Sequence, residues 1–187
     1  MDVGCGAGTF LLVARSRGWK VAGIEPAENA AADAKSFGLP VFCGFVEEYP
    51  GEPGVSYDAI TAFEVLEHVP DPVRMLRAMQ QLLRPKGQLV LSVPNLDDPF
   101  CLKQQIPTAM PPIHINFFNR SSLTVALERA GYGEIRFRTL PVPTSSVRNV
   151  CGRTGYILRL PLLACLSALG KADGTTLVAA ATLPDKP

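Results

Sequence analysis

The sequence predicts an α/β fold, a doubly wound and mostly parallel sheet with helices on both of its faces. A glycine-rich turn at residues 4–8 runs directly into an apolar helical pattern, as in nucleotide-binding units. Short apolar runs then alternate with helical segments, which is typical of strand–helix–strand connections. The length of 187 residues and the hydrophobic content of 47% fit one globular domain, residues 1–187.

Composition argues against several other classes of protein. The formal net charge of +1 gives no basic excess, so no nucleic-acid partner is expected. The five cysteines are odd in number and form no C-x-x-C pair, which indicates reduced thiols in a cytoplasmic protein. No signal peptide is predicted, because a charged segment followed by an apolar one is missing at the start.

The first half of the chain predicts three short strands and two helices. Only three residues precede Gly4, so the first strand is either very short or truncated. We favour truncation, with an N-terminal cap missing. The apolar face of residues 10–14 predicts the first helix, which ends at Gly18. The pattern then predicts a strand at 19–25, a helix at 27–37 and a strand at 39–43.

The second half predicts four more strands and two more helices, besides an apolar helix at 156–169. Asp71 is the expected N-cap of a helix that starts at Pro72 and ends in the turn 84–87. Asn119 or Ser121 is expected to cap the other helix. This helix is predicted at 121–130, and the strands are predicted at 57–63, 88–93, 134–140 and 175–183.

Two segments have alternative interpretations. Residues 94–118 follow a strand end, where open α/β sheets place ligand-binding loops, and are rich in proline at first. We expect this segment to form the substrate side of the pocket; the alternative is a plain surface loop. Residues 156–169 are apolar but interrupted by Arg159 and Pro161, which predicts no transmembrane segment. Core packing is preferred there over weak contact with a membrane surface.

Glu25 is the strongest single candidate for ligand binding outside the glycine turn. It ends the second predicted strand, about 20 residues after the glycines, where a carboxylate can accept two hydrogen bonds from ribose hydroxyls. The alternative is a solvated acid at a strand end. The glycine turn before it favours the ribose-binding role.

Three stretches together resemble a known family. They read D-V-G-C-G-A-G at residues 2–8, Y-D-A-I-T-A-F-E-V-L-E-H-V-P-D-P at 57–72 and L-R-P-K-G-Q-L-V-L-S-V-P-N at 83–95. This pattern resembles the class I S-adenosylmethionine-dependent methyltransferases, in the branch of the ubiquinone-biosynthesis O-methyltransferases. The resemblance implies a Rossmann-like sheet whose last strand is antiparallel. It also implies transfer of a methyl group to a small-molecule acceptor, at oxygen.

The resemblance further implies S-adenosyl-L-methionine as the cofactor and suggests where it binds. The glycine turn is expected around the methionine and ribose, and Glu25 at the ribose hydroxyls. Relatives often carry Gly-Asp beside the adenine, whereas this chain has Gly44 followed by Phe45, so Phe45 or Val46 is expected to contact the base. The expected contacts are Asp2, Gly4, Cys5, Gly6, Gly8, Glu25, Phe45, Val46 and Phe63.

The two histidines of the chain are the candidates for chemistry. His68 follows the fourth strand in an E-x-x-E-H motif and is the best catalytic candidate, as a base that takes the proton of an acceptor hydroxyl. Metal-dependent relatives carry this motif with a later histidine. By that resemblance a divalent cation such as Mg²⁺ has candidate ligands in Glu64, Glu67, His68 and His114. The alternatives leave out the metal and make His68 a base, a pocket wall or a hydrogen-bonding residue at a helix start.

Two other functions compete with methyl transfer. A nicotinamide-dependent oxidoreductase would carry G-x-G-x-x-G, but Thr9 stands where the last glycine belongs. A truncated, non-catalytic relative would bind the cofactor or nothing. The short start and Phe45 favour that second alternative over the first.

Overall fold

A computed structural model describes residues 1–97, 111–140 and 176–184. The predicted apolar helix at 156–169 and much of the predicted substrate-side loop lie outside these residues. Within them, the chain forms one seven-stranded sheet in the order β3-β2-β1-β4-β5-β7-β6. The strands are β1 Asp2–Val3, β2 Gly23–Glu25, β3 Val41–Cys43, β4 Tyr57–Phe63, β5 Leu83–Pro94, β6 Gly133–Leu140 and β7 Thr176–Thr182.

The sheet is parallel from β3 to β5 and antiparallel at its other end. Strand β1 pairs in parallel with both β2 and β4, and β7 runs antiparallel between β5 and β6. The antiparallel last strand implied by the family resemblance is therefore confirmed. The strand order reverses between β1 and β4, and open α/β sheets bind ligands at such a reversal, beyond the carboxyl ends of the strands.

Four helices surround the sheet in the described residues: α1 Thr9–Ser16, α2 Glu28–Ser36, α3 Pro72–Leu82 and α4 Arg120–Arg129. Asp71 caps α3 as predicted, because its carboxylate accepts the backbone N–H of Arg74 at 2.9 Å. Of the two candidate caps for α4, Asn119 is used; its side chain accepts the backbone N–H of Ser122.

The core lies on both faces of the central strands. Aliphatic side chains of β4, β5 and β7, such as Ile60, Leu91 and Leu177, are fully buried in one cluster with Leu76 of α3 and Leu123 of α4. A smaller apolar cluster lies around Leu11 and Ala34, which connect α1 and α2 to β2 and β3. None of the described helices is both long enough and apolar enough to cross a membrane.

Two predicted boundaries are wrong for local reasons. Strand β2 starts at Gly23 rather than at residue 19, because the backbone N–H of Trp19 bonds Ala14 and so continues the end of α1. Residues 84–87 were expected as a turn after α3, but β5 already starts at Leu83, which pairs with Tyr57. The irregularity appears instead at Lys86, whose φ is +62°.

Candidate functional site

A cavity of about 350 Å³ opens beyond the carboxyl ends of the central parallel strands. It brings together six of the predicted site residues: Gly4, Glu25, Phe45, Val46, Glu64 and His68. The cavity joins the glycine turn, the end of β2 and the segment after β4 in one space. It therefore places four of the nine predicted cofactor contacts, Gly4, Glu25, Phe45 and Val46, and the predicted catalytic histidine around one space.

The glycine turn leaves room for that ligand. Gly4 and Gly6 have φ of +74° and +53°, a left-handed conformation that favours glycine. At Gly4 an added Cβ would stand 2.6 Å from Cγ2 of Val65, so only glycine fits. At Gly6 an added Cβ would meet nothing within 4 Å. We call this open space beside the turn the cradle; Gly6 itself is not among the residues that line the cavity.

Glu25 is buried at the end of β2 and both of its oxygens are engaged. Oε2 accepts the backbone N–H of Gly6, and Oε1 accepts that of Ala27, each at 2.8 Å. A carboxylate oxygen has two lone pairs, so each oxygen retains capacity for a ribose hydroxyl. Glu25 thus holds the glycine turn in place and lines the cavity at the same time.

Asp2 lies outside the cavity lining, buried beneath the glycine turn. Its carboxylate accepts the hydroxyl of Thr61 on β4 at 2.5 Å. Burial raises the pKa of Asp2 to about 6, although the Thr61 hydrogen bond opposes the shift. In this structure the side chain joins two central strands, so any influence on a bound cofactor acts through the turn above it.

Cys5, Gly8 and Phe63, three other predicted contacts, also do not line the cavity. The Cys5 thiol is buried, and this burial raises its pKa to about 12, so it is an unreactive packing group. Gly8 has no room for a Cβ, which would overlap Leu39. Phe63 stacks edge to face on Phe10, with ring centroids 5.1 Å apart.

The segment after β3 supplies the cavity wall expected for adenine. Phe45 is 59% exposed and Val46 is buried, and both line the cavity. Sequence reasoning missed two carboxylates on the same wall, Glu47 and Asp71. The sequence predicts only a helix cap for Asp71. Glu47 stands two residues after position 45, where relatives carry the acid.

Together with Glu25 and Glu64, these residues give the cavity four carboxylate side chains. Among the described residues, no lysine or arginine lines it. The cavity is therefore acidic, and its negative potential favours a positively charged ligand.

The segment after β4 departs from the expected helical turn at its first residue. Glu64 has φ +55°, and its carboxylate accepts the hydroxyl of Ser92 on β5 at 2.7 Å. A short 3-10 turn, Leu66–His68, follows it. Because the chain leaves the right-handed conformation at Glu64, residues 64 and 67 do not share one helical face.

Glu67, His68 and His114 form a compact cluster of titratable groups. One ligand atom from each lies within 4.8 Å of the others. Glu67 is 1% exposed, and neither of its carboxylate oxygens has a hydrogen-bond partner in the described structure. Burial raises the pKa of Glu67 to about 7. Burial and the neighbouring His68 lower the pKa of His114.

The hydrogen bonds of His68 identify its tautomer. Nδ1 lies 2.8 Å from the backbone carbonyl oxygen of Ile113, which only accepts, so Nδ1 carries the proton. Neutral His68 then has its lone pair on Nε2, 3.7 Å from Oε1 of Glu67. The ring meets His114 edge to face, with centroids 4.7 Å apart.

The cluster fits a divalent cation, although not in the predicted composition. Among the described residues, the buried Glu67 carboxylate has no hydrogen-bond donor, and its charge is offset only by the imidazole of His68 at 3.7 Å, so a cation would stabilise it; the two imidazoles complete a three-ligand set. Glu64, the fourth predicted ligand, is not part of this group. Two nitrogen donors and one carboxylate suit transition metals better than Mg²⁺, which prefers oxygen. The oxygen-rich magnesium site is thus not supported.

Comparison with known proteins decides the family. A family model described as a methyltransferase domain matches residues 1–134. The chain belongs to this methyltransferase-domain family. S-adenosylmethionine is the family's methyl donor, and the resemblance found in the sequence is confirmed.

A curated relative is a ubiquinone biosynthesis O-methyltransferase of Pseudomonas paraeruginosa. It is 36% identical to this methyltransferase-domain chain over 105 residues, which cover 51% of the chain and 44% of the relative. The match thus spans less than half the length of that relative. A second such enzyme, from Chromobacterium violaceum, is 37% identical over 101 residues, with the same coverage.

Solved methyltransferase structures share the fold. One from Archaeoglobus fulgidus, described as dependent on S-adenosylmethionine, has a TM-score of 0.71 at 17% identity and covers 97% of this chain and 84% of its own. A phosphoethanolamine N-methyltransferase of Haemonchus contortus, in complex with S-adenosyl-L-methionine, has a TM-score of 0.67 at 17% identity. It covers 98% of this chain and 48% of its own. The sheet is therefore a Rossmann-like methyltransferase sheet.

Proposed function

We propose that this chain transfers a methyl group from S-adenosylmethionine to an oxygen of a small-molecule acceptor, with His68 as the base. The observation that carries the proposal is the shared cavity, which His68 lines together with Gly4 and Glu25. S-adenosylmethionine, when bound, supplies a methyl group on positively charged sulfur and leaves as a neutral sulfide.

The cofactor contacts support the choice of donor. Glu25 retains two acceptor lone pairs for vicinal hydroxyls, and the cradle at Gly6 is open. Phe45 and Val46 provide an apolar wall for a flat base, and Glu47 and Asp71 provide acceptors for an exocyclic amine. The acidic lining also favours a ligand that carries a sulfonium charge.

His68 supports oxygen as the accepting atom. A hydroxyl becomes a good nucleophile only when its proton is removed, and the Nε2 lone pair of neutral His68, which receives no hydrogen bond from the described residues, can accept that proton. The Ile113 carbonyl holds the other ring nitrogen, so the ring is oriented as well as ready to accept. The curated relatives, which are named as O-methyltransferases, agree with this choice of atom.

A second candidate role for the cluster is a metal-assisted one, and the orphaned carboxylate of Glu67 favours it. Glu67, His68 and His114 would hold a divalent cation of the manganese or zinc type, which lowers the pKa of a hydroxyl bound to it. His68 would then be a ligand and not the base. Sensitivity of methyl transfer to chelators separates the two roles.

The first test measures ligand binding by titration calorimetry, with S-adenosylhomocysteine and NADH as competing choices. Binding of S-adenosylhomocysteine alone supports the proposal, and binding of NADH alone would replace it with an oxidoreductase. The second test follows labelled methyl from S-adenosylmethionine to a phenol and to the matched aniline. Transfer to the phenol that His68→Ala abolishes, with cofactor affinity retained, supports His68 as the base.

Three further results would change the assignment. Cofactor binding without transfer to any acceptor would identify a non-catalytic relative. Transfer that stops with EDTA and returns with Mn²⁺ would make the cluster a metal site. Transfer to the aniline alone would contradict oxygen as the accepting atom.

A further inference from the structure

We propose that Asn116 is a positioning residue, which ties segment 113–116 to the turn after β4 and thereby fixes the tautomer of His68. The inference deepens the proposed function, because it explains what holds the proposed base in its active form. Asn116 itself does not line the cavity, so its proposed effect acts through His68.

The side-chain amide of Asn116 hydrogen-bonds to residues on both sides of Glu67 and His68. Its Nδ2 group donates to the carbonyl oxygen of Val69 at 2.6 Å and to that of Leu66 at 3.3 Å. These two carbonyls lie on either side of Glu67 and His68. A single side chain therefore fixes both ends of the 3-10 turn.

The backbone of the same segment attaches to the middle of the turn. The N–H groups of Ile115 and Asn116 both donate to the carbonyl oxygen of Glu67, at 2.8 and 3.1 Å. Together with the side-chain bonds, they fasten residues 115–116 along the whole turn. This attachment joins parts of the chain about 50 residues apart, as the separations of 47 and 50 for the Asn116 bonds indicate.

The consequence reaches His68 through Ile113. The segment that Asn116 fastens also carries the Ile113 carbonyl that accepts Nδ1–H of His68 at 2.8 Å. It carries His114 as well, whose ring packs on His68. If the segment moves away, Nδ1 loses its acceptor, and the proton is free to occupy either ring nitrogen. A proton on Nε2 would remove the lone pair that the proposed base needs.

The chemistry of an amide explains why asparagine suits this position. The two facing groups are carbonyls, so the residue must offer two N–H donors on one atom, and a neutral amide does so. Aspartate at the same position would present only acceptors to these carbonyls. The Asn116→Asp substitution therefore preserves shape and reverses the interaction.

The test reads the tautomer directly in the full 187-residue chain, without turnover. Long-range ¹H–¹⁵N spectra are recorded with EDTA present at a pH where both rings are neutral, and the chain has only two histidines to assign. We expect the Nδ1–H form of His68 in the wild type. In Asn116→Asp and Asn116→Ala we expect that population to fall to about half or less.

Asn119→Asp is the matched control. It makes the same amide-to-carboxylate change three residues away, at a helix cap where a carboxylate also accepts the Ser122 N–H. It should leave the His68 tautomer unchanged.

In both Asn116 variants, affinity for S-adenosylhomocysteine should stay within about twofold while kcat falls about tenfold, the usual loss when a supporting hydrogen bond is removed.

Two results would overturn the proposal. One is a wild-type His68 in the Nε2–H form, which needs no variant and so does not depend on whether a variant folds. The other is an Asn116→Asp chain that binds S-adenosylhomocysteine and keeps the Nδ1–H form. Failure of methyl transfer alone would count against the proposed function and leave the tautomer result standing.

Discussion

The carboxylate of Glu25 accepts the backbone N–H of Gly6 at 2.8 Å, so the acid proposed for ribose binding also holds the glycine turn. This bond joins the end of β2 to the turn after β1. It makes the shape of the cradle depend on one buried side chain, which a substitution can test.

Glu25→Gln should lower affinity for S-adenosylhomocysteine about 10- to 100-fold. Glutamine replaces one acceptor oxygen by a donor NH₂ group, which cannot accept the backbone N–H of Gly6 or Ala27. The same change weakens the expected contacts with the ribose hydroxyls. Hydrogen bonds to charged groups are worth about 1.5–3 kcal/mol. Titration calorimetry measures the change. The control is Glu28→Gln, an exposed residue at the start of α2, and equal affinity of both variants would refute the role of Glu25.

Gly6→Ala should reduce cofactor affinity more than it reduces stability. Its Cβ enters the open cradle, and φ of +53° adds a backbone cost of about 1 kcal/mol. Gly18→Ala is matched to it, because Gly18 has φ +85° and equally open surroundings at the end of α1. Urea unfolding and calorimetry on both variants should show similar stability losses, with lost binding only at Gly6.

Asp2→Asn should make the chain more stable above pH 6 and leave it unchanged near pH 3. The pKa of Asp2 is about 6 in the folded chain, against 3.8 for an ordinary aspartate such as that of the unfolded chain. Its contribution to stability is therefore full below pH 3.8 and lost as pH rises through 6. The difference amounts to at most about 3 kcal/mol. Urea unfolding of both chains from pH 3 to 8 measures it, and a constant difference would contradict the raised pKa.

Glu67→Leu should stabilise the metal-free chain at pH 8 by about 1–2 kcal/mol, because it removes a buried carboxylate that has no hydrogen-bond partner. The same variant should lose any Mn²⁺ binding that the wild type shows by electron paramagnetic resonance. Glu47→Gln, a carboxylate of the cavity lining outside the cluster, should change neither quantity. A destabilised Glu67→Leu chain would mean that the carboxylate has a partner at this site.

The strands could be predicted from sequence where local patterns decide them. The apolar run at 57–63 gave β4 with its observed bounds, and Asp71-Pro72 gave the start of α3. The start of β2 could not be predicted, because Trp19 is held by a bond back to Ala14 that apolar character does not reveal. The φ of +62° at Lys86, within a strand whose residues 83 and 88 both pair with β4, likewise has no local signal in the sequence.

The candidate site could be predicted for its ligand-facing residues and not for the residues that support them. Gly4, Glu25 and His68 have characteristic neighbours in sequence, and all three line the cavity. The burial of Glu67 and the hydrogen bonds of the Asn116 side chain depend on contacts between segments about 50 residues apart. The positive φ at Glu64 separated it from the cluster, which a helical E-x-x-E spacing had placed together.

The four carboxylates around the cavity affect the relative affinity for the methyl donor and for the product that it leaves. S-adenosylmethionine carries a net charge of +1, and the sulfide left after methyl transfer is neutral overall. The cavity therefore attracts its ligand by charge before the reaction and loses that attraction afterwards. The acidic cavity therefore favours replacement of S-adenosylhomocysteine by S-adenosylmethionine after each reaction. Added salt should weaken this preference, because it screens the charges.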